Sequence, residues 1–98
     1  MANKELASRL TALFEEAGQA HHKAFIKTNG DDPEWPIWYA EYLQPKLSAL
    51  LQTSFTKSEL VYLLIKAEKE RRENQAKPAW SEYYADFFLQ GTQRVTFL

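Results

Sequence analysis

The sequence predicts an all-α fold in which four main helices form two helical hairpins of one small bundle. Three observations predict it. Apolar residues recur at helical spacing, helix-capping signals precede the apolar segments, and two similar aromatic segments occupy corresponding places in the two halves of the chain. A length of 98 residues suits a single domain, so we expect one core for residues 1–98.

The first helix is predicted over about residues 4–28. With Leu10 as reference and an advance of about 100° per residue, seven further residues fall within about 60° of it and form one apolar stripe. They are Leu6, Leu13, Phe14, Ala17, His21, Ala24 and Phe25. Asn29 and Gly30 are expected to end the helix, since both tolerate the left-handed backbone conformation.

The second helix is predicted to begin near Asp32, Pro33 and Glu34, which are residue types typical of a first turn. Pro45 lacks the N–H that would bond the carbonyl of Glu41, so we expect a kink or a break at the residue before it. Helix is expected to resume over 46–52.

The third helix is predicted to start at a capping box made by Thr56 and Glu59, and it continues into a charged segment over 66–73. Opposite charges recur there at i,i+4, which favours a solvated helix end over a charged binding site. A fourth helix is predicted from Pro78 to Leu89 and is expected to end at Gly91. The last seven residues, 92–98, are predicted to form an extended tail over the core.

The aromatic segments that begin at Pro33 and Pro78 share the pattern Pro-x-Trp-x-x-aromatic-Tyr-Ala-acid-aromatic-apolar, at an offset of 45 residues. Each segment follows an amphipathic helix. We interpret the chain as two pseudo-repeats, about 4–52 and 56–90, related by an approximate two-fold axis. Buried Trp and Tyr need hydrogen-bond partners, and Glu41 and Asp86 are the acceptors that the pattern suggests.

The segment Asp32-Pro33-Glu34-Trp35-Pro36-Ile37-Trp38-Tyr39-Ala40 follows a helix that carries His21 and His22. In this it resembles a group of small bacterial proteins, cyanobacterial ones among them, with an Asp-x-x-Trp-Pro-x-Trp-Tyr-Ala signature. The resemblance covers about residues 10–43 and extends loosely to the second half. It implies a helical fold and a bacterial source, and it brings no activity, cofactor or catalytic residue.

Composition excludes several classes of function. The absence of cysteine excludes disulfides, thiolate metal sites and cysteine nucleophiles. The net charge of −1 comes without a basic stripe, so we expect no nucleic-acid partner. No apolar segment is long enough to span a bilayer, and the first residues lack the apolar part of a signal peptide. We therefore expect a cytoplasmic protein without a membrane partner.

His21 is the residue of greatest chemical interest, because it lies on the apolar stripe of the first helix. A histidine there is expected to be a core residue bonded to a tyrosine or carboxylate, and the alternative is a ligand or acid–base group facing an aromatic pocket. His22 is expected to lie on the flank of the helix. The sequence shows no catalytic constellation, so we expect no catalytic residue, and we predict no cofactor. A metal site would require His21 to meet Glu41 or Asp86.

The leading hypothesis is a binding or interaction module that acts through an aromatic surface on an unknown protein or small molecule, with a homodimer as one arrangement. The alternative is a small-ligand-binding protein or enzyme with His21 beside an aromatic pocket. The candidate binding residues are His21, His22, Trp35, Trp38, Tyr39, Tyr42, Glu41, Trp80, Tyr84 and Asp86.

Overall fold

The structure, a computed structural model, describes residues 2–74 and 79–96, and side chains over 4–74 and 79–90. The described residues form four α-helices and contain no strand, which confirms the all-α prediction. The helices are α1 (Ala2–Ala24), α2 (Trp35–Leu51), α3 (Lys57–Glu73) and α4 (Trp80–Thr96). None of them is long and apolar enough to cross a membrane.

In the connection between α1 and α2 the left-handed turn at Asn29 and Gly30 is as predicted, whereas both helix ends differ. Helix α1 ends at Ala24 instead of near residue 28, and the N-cap of α2 is Glu34 instead of Asp32. After α1 ends, a 3-10 turn occupies Ile26–Thr28. Asn29 and Gly30 then have φ angles of 58° and 85°, which are left-handed conformations that reverse the chain. α2 begins at Trp35, and the side chain of Asp32 accepts a hydrogen bond from the Glu34 N–H at 3.1 Å.

Helix α2 runs without a break through Pro45, so the predicted split is wrong. Proline removes one helical hydrogen bond, from the carbonyl of Glu41. Glu41 and Pro45 are both exposed, so water can reach this side of the helix. The apolar side of the same helix is buried through Ala40, Leu43 and Leu47, and this packing holds the helix together across the proline.

The α3 start is the predicted capping box. Thr56 Oγ1 accepts from the Glu59 N–H at 3.1 Å, and the Glu59 carboxylate accepts from the Thr56 N–H at 2.8 Å.

The predicted end of α4 and the extended tail are wrong over residues 92–96. Helix α4 continues through Gly91 to Thr96. A glycine inside a helix keeps its N–H and costs only about 1 kcal/mol relative to alanine, so it does not stop a helix by itself. The remaining part of the predicted tail, residues 97–98, lies outside the described residues.

The core is a single cluster to which every helix contributes. Its buried apolar members are Leu10, Phe14 and Ala17 of α1, Ala40, Leu43, Leu47 and Leu51 of α2, Leu60, Leu64 and Ala67 of α3, and Tyr84, Ala85, Phe88 and Leu89 of α4. Helix α1 packs most extensively against α4, and α2 against α3. The pairs α1–α2 and α3–α4, which we expected to form the two hairpins, pack against each other less extensively.

The two halves of the chain repeat one burial pattern. Buried, half-buried and exposed positions follow in the same order over 10–20 of α1 and 60–70 of α3. The distribution of helix contacts has the same symmetry, because exchanging the halves turns the α1–α4 interface into the α3–α2 interface. The pseudo-repeat stays a prediction, and these matches are observations in its favour.

Candidate functional site

A cleft of about 580 Å³ opens where the C-terminal ends of α1 and α3 meet the N-terminal ends of α2 and α4. We call it the interhelical cleft. Its lining contains four rings, five ionisable side chains and two small residues. They are Trp35, Tyr39, Trp80 and Tyr84; His21, Asp31, Asp32, Glu68 and Arg71; and Gly30 and Ala79.

The four rings of the cleft stand at right angles to their neighbours. The Trp35 and Tyr39 rings lie 5.9 Å apart at 86°. Tyr39 and Trp80 lie 6.4 Å apart at 89°, and Trp80 and Tyr84 lie 5.4 Å apart at 88°. Successive edge-to-face contacts are a favourable arrangement of aromatic rings, so the four form one continuous wall.

A glycine on α1 permits the close approach of this wall. A Cβ atom at Gly18 would lie 2.9 Å from Trp80 Cζ2 and 3.8 Å from the Tyr39 hydroxyl. Any larger residue would therefore push the Trp80 ring away from α1. Gly18 thus leaves the room on α1 that the Trp80 ring occupies.

His21 is buried, with 7% of its surface exposed, and it lies within the aromatic part of the site. Its Nε2 lies 3.0 Å from Asp32 Oδ2, and the other oxygen of Asp32 accepts from the Glu34 N–H. The rings of Phe25, Trp38 and Tyr39 surround the imidazole at centroid distances of 4.7–5.0 Å. His21 therefore has the carboxylate partner that the sequence predicted and also borders a cavity.

Glu68 is the centre of a hydrogen-bond network on the opposite side of the cleft. Its carboxylate accepts from Arg71 at 2.9 and 2.8 Å, from Arg72 at 2.7 Å and from the Tyr84 hydroxyl at 2.8 Å. Burial disfavours the charged form of Glu68, but these four hydrogen bonds outweigh it and lower its pKa from 4.5 to about 2. Burial and the adjacent Glu68 charge raise the pKa of Tyr84 far above its ordinary value.

A second groove of about 620 Å³ lies behind the aromatic wall. Its lining includes His22, Glu15 and Lys23, and it shares Tyr39 and Trp80 with the interhelical cleft. His22 is exposed there, as the sequence predicted for the flank of α1. The two histidines therefore face different cavities on the two sides of one aromatic wall.

Trp38 and Tyr42 lie outside the cleft lining. Their rings stack on one another at 5.3 Å and 11°, and the Tyr42 hydroxyl donates to Glu16. This hydrogen bond, together with burial, raises the pKa of Tyr42 above its ordinary value. Trp38 also contacts the edge of the His21 ring, so it supports the cleft from behind.

Glu41 and Asp86 do not act as acceptors for buried rings, and that expectation was wrong. Glu41 is exposed and pairs with Lys57 across α2 and α3 at 3.5 Å. Asp86 is exposed and lines a groove between α1 and α4. Both residues lie on the outer faces of their helices. The carboxylates that accept hydrogen bonds from tyrosines are Glu16, which bonds Tyr42, and Glu68, which bonds Tyr84.

The metal hypothesis required His21 to converge with Glu41 or Asp86, and these residues lie on different surfaces. Among the described residues, no group of three His, Asp or Glu side chains has the spacing to hold a metal ion.

Sequence reasoning missed four charged residues of the cleft, of which Asp31 was interpreted only as part of the segment before the second helix. Asp32 was interpreted only as a helix cap, and Glu68 and Arg71 were assigned to a solvated helix end. Arg71 continues the spacing of the buried residues of α3, which recur at 60, 64 and 67, and Glu68 lies one turn before Arg72 on the adjoining flank. The spacing of the buried positions could therefore have indicated that Arg71 faces the core side of α3. The i,i+4 charge pairs instead suggested a solvated helix end.

Of the ten candidate binding residues, the structure brings five together in the interhelical cleft: His21, Trp35, Tyr39, Trp80 and Tyr84. Comparison with family models, with curated proteins and with solved structures finds no match to the chain.

Proposed function

We propose that the protein binds a small molecule in the interhelical cleft. The observation that carries this proposal is the composition of the cleft, since all four helices contribute to it and it combines aromatic rings with buried polar groups. Ligand sites of proteins are typically concave, about 300–1,000 Å³ in volume, and mainly apolar with a few oriented polar groups. A volume of about 580 Å³ lies within that range.

Residues that line the cleft keep unused hydrogen-bonding groups. The His21 Nδ1 atom and the Tyr39 hydroxyl make no hydrogen bond to another described residue, and the Tyr39 hydroxyl lies on the side of its ring that faces Gly18. Arg71 uses its Nε and one Nη2 hydrogen on Glu68, so further guanidinium hydrogens remain. A ligand that meets these groups would form hydrogen bonds without breaking existing ones.

The walls of the cleft are held before any ligand arrives. The Glu68 network fixes Arg71 and Tyr84, and the Asp32 carboxylate fixes the His21 ring. Edge-to-face contacts with Phe14, Tyr39 and Tyr84 hold the Trp80 ring. A preformed site avoids much of the entropy cost of ordering side chains on binding.

An interaction module with an exposed aromatic surface, the leading hypothesis from the sequence, is here the second candidate. Every aromatic residue of the Trp-Tyr-Ala helices is half-buried or buried in the described structure. The exposed large apolar side chains are Ile26, Tyr62 and Ile65 outside these helices, and Ile37 as a single residue of α2. This distribution favours a cleft over a surface patch. A binding role requires no reaction, and we assign none to His21.

The proposal is tested by screening a library of small cationic, anionic and neutral compounds against ¹⁵N-labelled protein. Trp35 and Trp80 line the cleft, whereas Trp38 does not, so the three indole N–H resonances provide an internal comparison. We expect binding compounds to shift the Trp35 and Trp80 resonances more than that of Trp38.

The matched variants are Trp35→Ala, which removes a cleft wall, and Tyr62→Ala, which removes an exposed ring on the outer side of α3. We expect the first to weaken binding about tenfold, a loss of about 1.4 kcal/mol, and the second to leave it unchanged. Circular dichroism checks that both remain helical. A library in which no compound of any charge binds, or in which shifts scatter over the surface, would contradict the proposal.

A further inference from the structure

The arrangement of rings in the interhelical cleft favours a particular ligand charge. The face of an aromatic ring carries negative electrostatic potential and attracts a cation within about 6 Å of its centroid. The three successive ring pairs from Trp35 to Tyr84 lie at 86°, 89° and 88°. These rings line the cleft from both α2 and α4, so a group in the cleft lies beside aromatic side chains of two helices.

The ionisable side chains of the cleft carry an excess of negative charge. Asp31, Asp32 and Glu68 contribute three carboxylates, and Arg71 contributes one guanidinium. Leaving His21 aside, the lining sums to −2, since three negative charges meet one positive charge, and Arg72, which pairs with Glu68 from outside the lining, reduces this excess to −1. A bound cation would reduce this excess, whereas a bound anion would increase it.

Arg71 does not oppose a cation strongly, because its charge is paired. Two of its nitrogen atoms donate to the two oxygens of Glu68 in a bidentate arrangement. The unbalanced negative charge therefore belongs to Asp31 and Asp32, beside Trp35. The Asp31 side chain is exposed and makes no hydrogen bond or ion pair with another described residue.

His21 is held at this surface by Asp32. The Asp32 carboxylate can only accept a hydrogen bond, so His21 donates to it from Nε2, and the other ring nitrogen, Nδ1, has no partner among the described residues.

We propose that the interhelical cleft binds an organic cation of the quaternary-ammonium or alkylated-amine class. This inference rests on the proposed function, since it specifies the ligand of the same cleft. The perpendicular rings provide the apolar, electron-rich surface for the alkyl groups. Asp31 and Asp32 provide the negative charge.

Choline and 3,3-dimethylbutan-1-ol are suitable probes, because they have the same shape and differ in charge. Both are titrated into the protein at constant ionic strength, and the indole N–H resonances of Trp35 and Trp80 report binding. We expect choline to bind about fivefold or more tightly than the alcohol, since a desolvated cation–π contact and the carboxylates act only on the charged probe. Equal affinity, or tighter binding of the alcohol, would overturn the proposal.

Charge reversal at the rim provides a variant that leaves the core intact. Asp31→Lys changes an exposed side chain of the cleft, and Asp86→Lys makes the same change of charge on an exposed residue outside it. We expect Asp31→Lys to weaken choline binding about threefold to tenfold at low salt and Asp86→Lys to have little effect. Equal effects of the two variants would overturn the assignment of the cation to this cleft.

The screen separates this proposal from the proposed function. If choline fails to bind while neutral or anionic compounds shift Trp35 and Trp80, the cation proposal is wrong and small-molecule binding stands. If no compound of any class binds in the cleft, both proposals are wrong.

Discussion

The half formed by α1 and α2 and the half formed by α3 and α4 line the cleft with similarly spaced rings and with different polar groups. Trp35 and Tyr39 begin α2 as Trp80 and Tyr84 begin α4, at the offset of 45 residues. The first helix of each half also buries the same series of positions. Two equivalent Trp-Tyr pairs therefore line one cavity from two sides.

The polar residues distinguish the halves. In the matching burial series of α1 and α3, Glu68 takes the place of Gly18, and Arg71 takes the place of His21. Glu68 binds the Tyr84 hydroxyl, whereas the Tyr39 hydroxyl lies near a glycine and has no partner among the described residues. The difference therefore lies in the two tyrosines, since the Tyr84 hydroxyl is bonded within the second half and the Tyr39 hydroxyl is not bonded within the first.

The largest expected effect tests whether the scaffolds are equivalent. Leu10 and Leu60 occupy matching positions, and both have no exposed surface. We expect Leu10→Ala and Leu60→Ala each to lower the free energy of unfolding by about 2–5 kcal/mol, because each removes buried methyl groups and leaves a cavity. Urea unfolding followed by circular dichroism measures both. Losses that differ by more than about 2 kcal/mol would break the equivalence of the halves.

The helices and their ends could be predicted from the sequence because the signals are local. The capping box of Thr56 and Glu59 acts over three residues, and the left-handed pair Asn29 and Gly30 acts within one turn. The continuation of α4 through Gly91 could not be predicted, since a glycine is compatible with both a helix end and a helix interior.

The candidate site could be predicted only in part. The aromatic residues and His21 were identified because their spacing places them on one helix face. Glu68 was not identified as a site residue, because its role depends on the Tyr84 hydroxyl. That hydroxyl is 16 positions away in sequence and approaches Glu68 only when α4 packs beside α3. Charge spacing within α3 describes the helix in isolation and carries no information about its neighbour.

Acid unfolding measures how much the Glu68 network stabilises the second half of the chain. The folded-state pKa of Glu68 is lowered from 4.5 to about 2, so the ionised form stabilises the fold fully above about pH 4.5, and this contribution is lost as the pH falls towards 2. After discounting for partial exposure, we expect Glu68→Gln to cost about 1–2 kcal/mol at neutral pH. The difference between wild type and variant should shrink as the pH falls from about 4.5 to about 2. Both proteins share every other carboxylate, so a difference that stays constant across this range would show that the Glu68 charge adds no stability.

The smallest effect concerns the other polar pair, His21 and Asp32. In Asp32→Asn the amide oxygen can keep the hydrogen bond from the Glu34 N–H, which turns the NH₂ group towards His21 Nε2. The imidazole must then accept at Nε2 and carry its proton on Nδ1. We expect a loss of about 1 kcal/mol in the free energy of unfolding, because a charge-assisted hydrogen bond becomes a neutral one.

Asp31→Asn is the matched control for this change, since Asp31 is adjacent and exposed, and its side chain makes no bond to another described residue. We expect it to alter stability by less than about 0.5 kcal/mol. The ¹⁵N chemical shifts of the His21 ring should report the changed tautomer in Asp32→Asn and not in Asp31→Asn. Retention of the wild-type tautomer in both variants would mean that Asp32 does not orient the imidazole.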